Sequence, residues 1–136
     1  MQPPAPLRPT TADPAAALAA QADADRPAAE ASLGFWLPQV SSKFSGLEVD
    51  GVVYDEARIL AEFRLAQQRY GAVLVRSEDY TSFQRPGLWV VLVPQRSADP
   101  DAANAWCDSQ GFAPGDCFAK RLSHTEGPSG NTRHRS

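Results

Sequence analysis

"DEARILAEFRLAQQRYGAVLVRS", Asp55 to Ser77, joins the clearest helix in this chain to a strand. Ile59, Phe63, Ala66 and Tyr70 recur at helical spacing. Leu60 and Ala57 widen that apolar stripe, and Glu56, Arg58, Glu62, Arg64 and Arg69 cover the rest of the cylinder. Asp55 is placed to cap the first turn, and Gly71 to close the last in a left-handed conformation. The apolar run that follows, Ala72 to Ser77, is too short for a second helix and β-branched enough for a strand.

The same reading extends in both directions. Upstream, "GFWLPQVSSK" (Gly34 to Lys43) has the apolar and aromatic content of a strand. Pro38 must then sit at an edge, a bulge or a position whose N–H is not needed. Gly46 and Gly51 mark turns in the stretch between that strand and the helix. Downstream, "EDYTSFQRPG" connects to "LWVVLVPQ" (Leu88 to Gln95), the most apolar strand, apolar on both faces as a central strand is. Asp99 as N-cap, Pro100 at N1 and Gly111 at the end bracket a second helix. "DCFAKRLS" (Asp116 to Ser123) closes the series as a strand. The order strand, helix, strand, strand, helix, strand predicts an α+β fold of the ferredoxin-like βαββαβ type. That is a four-stranded antiparallel sheet with two helices on one face and the other face open.

The ends read differently. Met1 to Ser32 carries six of the twelve prolines and no aromatic residue. Alanine favours helix there, but a segment with so little to bury is expected to remain a proline-stiffened, disordered linker over residues 1–33. Residues 124–136 lack apolar side chains and are expected to be a disordered tail. All three Trp, three Tyr and six Phe lie between, so the expected domain is 34–123. With roughly 90 foldable residues the core is modest and a covalent staple would help it.

The net charge of −3 comes from scattered acids and bases, with no basic stripe, so a nucleic-acid partner is not expected. No apolar run reaches the ~20 residues that span a bilayer, and Met1 opens no signal peptide. A Pro/Ala linker before a domain is what a piece of a longer, anchored protein would show.

Cys107 and Cys117, ten apart, fall near the end of the second helix and the start of the last strand. A ferredoxin-like packing brings those points together, which makes a disulfide the leading reading, worth ~2–3 kcal/mol for so short a loop. Two buried thiols, a metal site and a thiol nucleophile with His124 are the other readings. A zinc site lacks the paired short ligand spacings it needs, so no metal or other cofactor is expected. A bridge places the chain outside the reducing cytosol.

In the strand Trp89–Val93, Trp89, Val91 and Val93 point one way and Leu88, Val90 and Leu92 the other. If Trp89 lies on the open face it offers a stacking surface for a sugar ring, with Gln39 and Arg76 as hydrogen-bonding neighbours; otherwise it is core. "RSEDYTSFQR" adds Tyr80 and Phe83, aromatics mixed with polar groups that suit carbohydrate or peptide recognition. Glu78 and Asp79, adjacent in sequence, do not have the opposed placement that glycosidase chemistry requires. No phosphate-loop, zincin or nucleophile-elbow motif is present, so the chain is read as a non-catalytic binding module.

Over Gly34 to Ser123 the chain resembles the SPOR (sporulation-related repeat) domains, which bind peptidoglycan glycan strands, particularly those stripped of peptide stems. The resemblance rests on "PQVSSKF" in the first strand: Gln39 matches the family's glutamine, Val40 its apolar position, Ser41 its usual glycine, Ser42 its small residue, and Phe44, one place late, its aromatic. The chain departs in Ser41, in "LVPQ" where Val-Gly-Pro-Phe is usual, in a longer "SEDYTSFQRPG" loop, and in the Cys pair. "WLPQVSSK", "AWCDSQG" and "CFAK" also resemble domains outside the membrane in actinobacterial proteins, including membrane-anchored Ser/Thr kinases. The resemblance implies an extracytoplasmic module binding cell-wall glycan; on its open sheet face and hairpin loop, Trp89, Gln39, Tyr80, Arg76, Ser41 and Phe83 are the expected contact residues. The alternative is a protein-interaction or sensor domain whose apolar sheet face docks a partner or a second copy.

Overall fold

Asp55 Oδ1 accepts a hydrogen bond from the Arg58 N–H at 2.8 Å, opening α2 (Glu56–Tyr70). Gly71 closes that helix at φ 68°, a conformation that costs glycine nothing. The computed structural model describes residues 13–136. In chain order the elements are α1 (Pro14–Glu30), β1 (Trp36–Lys43), β2 (Leu47–Val49), β3 (Val52–Tyr54), α2, β4 (Val73–Arg76), a 3-10 turn (Ser77–Asp79), β5 (Trp89–Leu92), α3 (Pro100–Ser109), β6 (Phe118–Arg121) and β7 (Thr132–Arg133).

Over the described residues the protein is α+β, with three helices, a five-stranded antiparallel sheet in the order β4-β5-β1-β6-β7, and a separate two-stranded hairpin, β2-β3. The sheet therefore has one strand more than the four expected. Paired residues share a face, so the register sorts the side chains. Leu74, Val91 and Trp89 face the side on which Ile59, Leu60 and Phe63 of α2 pack; Trp36 and Ala119 meet Ala103 of α3 on the same side. Leu37, Val73, Val75, Val90 and Leu92 form the opposite side.

Two expectations about the ends need correction. The linker expected over 1–33 covers residues 1–12, which lie outside the described residues, and a segment that holds α1. Asp13 caps this helix by accepting from the Ala16 N–H at 3.2 Å, and Pro14 starts it. Leu18, fully buried, and Ala22 join the α2 core, while Ala29 joins the core on the other side of the sheet. What holds α1 is the edge of the sheet. Among the described residues strand β4 has no partner strand on its outer side, and Asp25 Oδ2 accepts the Leu74 N–H there at 2.9 Å. Arg76 adds bonds to Asp23 at 3.1 Å and to the Ala19 carbonyl at 3.3 Å. A helix laid along an edge strand hides backbone groups that would otherwise template aggregation. Its alanines allow the close approach.

The tail expected over 124–136 contributes β7 and is tied down at both ends. Buried Asn131 donates to the Gly127 carbonyl at 2.7 Å and accepts from Arg121 Nε at 2.7 Å. Arg135 bonds the carboxylate of Asp108 and the carbonyls of Phe112, Ala113 and Cys117. Those carbonyls belong to the loop closed by the Cys107–Cys117 disulfide, whose Cα atoms stand 5.7 Å apart. Polar anchoring of this kind leaves no hydrophobic signal in the sequence.

Candidate functional site

The face expected to be open is half closed. Segment 80–88 folds back over β4 and β5 and packs Tyr80, Phe83 and Leu88 on their valines. Ser77 Oγ accepts the Leu88 N–H at 3.0 Å, and Ser82 Oγ accepts the Ser123 N–H at 3.0 Å, so the loop is stitched to the sheet and to the chain after β6. What remains over β1, β6 and β7 is a groove of about 580 Å³. Gln39, Ser42, Phe118 and Lys120 form its floor, Phe83 and Leu88 one wall, and Thr132 and His134 the other.

The six contact residues expected from the sequence divide between the two faces. Gln39 and Phe83 line the groove. Tyr80 is on that side too but only 4 % exposed; its hydroxyl donates to Glu30 Oε2 at 2.6 Å and its ring stacks on His124 at 4.8 Å. Burial, then the bond to Glu30, raises the Tyr80 pKa, and the same bond lowers that of Glu30. Tyr80 is therefore a clasp between α1 and the loop.

Trp89, Arg76 and Ser41 lie on the helix side. Trp89 packs against the α1–α2 core with the Arg76 guanidinium 5.5 Å from its ring. Ser41 Oγ donates to Glu62 Oε1 at 2.6 Å and accepts from Lys43 Nζ at 2.9 Å. A β-bulge explains the split between Gln39 and Ser41. In a regular strand residues two apart share a face, but the register shifts between these two, pairing Gln39 with Leu92 and Ser41 with Val91. The carboxylates of the loop are engaged as well: Asp79 pairs with Arg26 at 2.9 Å, and Glu78 accepts the Gly87 N–H at 3.1 Å.

Two groups give the groove its chemistry. Gln39 is only 7 % exposed, and its side-chain amide makes no hydrogen bond to any described residue. Such a group has two donors and an acceptor oxygen, and buried amides are normally partnered. Lys120, missed by the sequence reading, is 4 % exposed; its Nζ donates to the Ser82 carbonyl at 2.6 Å and to Thr132 Oγ1 at 2.7 Å. The ammonium stands 4.9 Å from the Phe83 ring centroid. A signal for it existed, because alternation places Phe118 and Lys120 on one side of β6. None existed for Thr132 and His134, which reach the groove only through the packing of the tail.

Burial lowers the Lys120 pKa to about 8. Between that value and the ordinary ~10.4 of an unfolded lysine, the unfolded chain binds the extra proton, so stability rises with pH across this window. Below it both states are protonated and the cost of the buried charge is constant. The chemical-denaturation midpoint is expected to climb between about pH 8 and about pH 10 and to stay flat in Lys120→Met; the same climb in the variant would assign it to another group.

Among the described residues no cluster of His, Cys, Asp and Glu is placed to hold a metal ion, and no helix is long and apolar enough to cross a membrane. No family model, curated protein or solved structure matches the chain.

Proposed function

We propose that the chain is a SPOR-like domain of ferredoxin-like topology, acting as a non-catalytic module that binds peptidoglycan glycan in the groove around Gln39. The order β4-β5-β1-β6, with α2 and α3 on one side, supports the topology; β7 then extends the sheet at β6. The single observation that carries the ligand reading is the buried Gln39 amide on the groove floor, which has no hydrogen-bond partner among the described residues. A sugar hydroxyl or acetamido group can both donate to it and accept from it. Phe83 and Phe118 supply flat apolar surface beside it, and Lys120 a cation with two of its three N–H bonds already fixed. Aromatic faces beside convergent polar groups suit a carbohydrate better than an apolar ligand.

The disulfide supports an oxidising compartment, outside the cytosol, where such a glycan is found. The test is co-sedimentation of the oxidised full chain with purified sacculi, intact or stripped of peptide stems by an amidase. Enrichment on the stripped sacculi is expected, and no pelleting with either would overturn the reading. A second role in binding protein is favoured by a different surface.

A further inference from the structure

Strand β1 is longer than its partner on one side. Pairing with β6 runs from Trp36 to Gln39 and ends at Gln39 opposite Phe118, whereas β5 continues alongside β1 to Lys43. Among the described residues, β1 between Val40 and Lys43 therefore has a strand neighbour only on the β5 side. No backbone group of this stretch bonds to the hairpin, to α2 or to the loop before β6 among the described residues. The vacant side opens into a second groove, of about 640 Å³, which all residues from Gln39 to Lys43 line. Leu47, Val49 and Tyr54 of the β2-β3 hairpin wall it on one side, Phe112 and Phe118 on the other.

We propose that this free edge takes an extended peptide as an added strand, and that the peptide is basic. An unpaired strand edge satisfies its donors and acceptors by pairing with another chain, while pockets beside it read alternate side chains. Four residues of edge give a register of about 13 Å at ~3.3 Å per residue. The charge of the groove selects the partner. Glu62 is occupied by Lys43 at 3.3 Å and by the hydroxyls of Ser41 and Tyr54. Asp50, at the hairpin turn, and Asp116, in the disulfide-closed loop, are both exposed, and neither joins an ion pair among the described residues. Among the described residues the groove thus presents two free carboxylates and no free cation, and a lysine or arginine flanking the added strand meets them. The hairpin valines, Val49, Val52 and Val53, are exposed beside it and extend the surface a longer peptide would cover.

The inference goes beyond the glycan reading, although Gln39, Ser42 and Phe118 border both grooves. It is tested by selecting a random dodecapeptide display library on the full chain, then titrating an enriched peptide into the isotope-labelled protein. Expected are enriched sequences carrying Lys or Arg, amide shifts and slowed exchange centred on Val40 to Lys43, and loss of binding when alternate peptide amides are N-methylated. The double variant Asp50→Asn, Asp116→Asn, in which asparagine tolerates the positive φ of Asp50, should bind about fivefold more weakly with an unchanged thermal midpoint. It should still pellet with stripped sacculi as wild type does if the glycan reading holds, so the two ideas fail separately. No enrichment, shifts centred elsewhere, or indifference to N-methylation would overturn the proposal.

Discussion

Leu18→Asp is expected to cost about 4 kcal/mol or more, enough to leave a large fraction of this protein unfolded at room temperature. Leu18 is fully buried against Ala22, Ile59, Leu60, Phe63 and Leu74, so a carboxylate there has neither water nor a cation to offset its desolvation. Loss of α1 docking also strips Leu74 of its Asp25 acceptor and exposes the edge of β4. The control is Ala20→Asp, at an exposed position of the same helix, which should shift stability by no more than about 0.5 kcal/mol. Urea denaturation of the two variants decides the matter: if both behave like wild type, α1 is the linker that its composition implied.

Replacing both cysteines by alanine is the second large effect, a loss of about 3 kcal/mol. Closing a loop of ten residues removes roughly that much chain entropy from the unfolded state. Both cysteines are fully buried, so truncation adds a small packing penalty. The damage should also have a location. Arg135 is held by carbonyls of Phe112, Ala113 and Cys117, so a slackened loop releases the tail. Hydrogen exchange is expected to speed up in 112–117 and 131–135 while α2 stays protected. A midpoint unchanged within error would mean that the tail and the sheet hold the loop without the bridge.

The elements legible in the sequence were those whose stability comes from periodic apolar burial and from their own ends. α2 and α3 carry an Asp N-cap each and begin and end within a residue or two of expectation, and the strand alternation around Trp89 is as read. The disulfide followed from placing a helix end beside a strand start. α1 was not legible, because its apolar stripe is alanine with one leucine and its anchors are acids that composition assigns to solvent. Asp25 has meaning only once β4 is known to be an edge strand. The site was half legible for a related reason. Gln39 and Phe83 line the groove, but the bulge after Gln39 turns Ser41 to the helices, and the choice of face for Trp89 and Arg76 depends on packing that alternation does not encode. Tyr80 was recognised as an aromatic near the sheet, but its partner, Glu30, came from the supposed linker.

The most direct test of the binding account is Gln39→Leu, measured for stability and for retention on stripped sacculi in the same preparation. Leucine fills nearly the same volume and removes a buried amide that has no partner among the described residues. The fold should therefore be unchanged or more stable by up to about 1 kcal/mol. Retention should fall at least tenfold, because the groove loses the buried amide that can both give and accept a hydrogen bond at its floor. Full retention with a stable fold would contradict the account and remove Gln39 from any role in binding glycan.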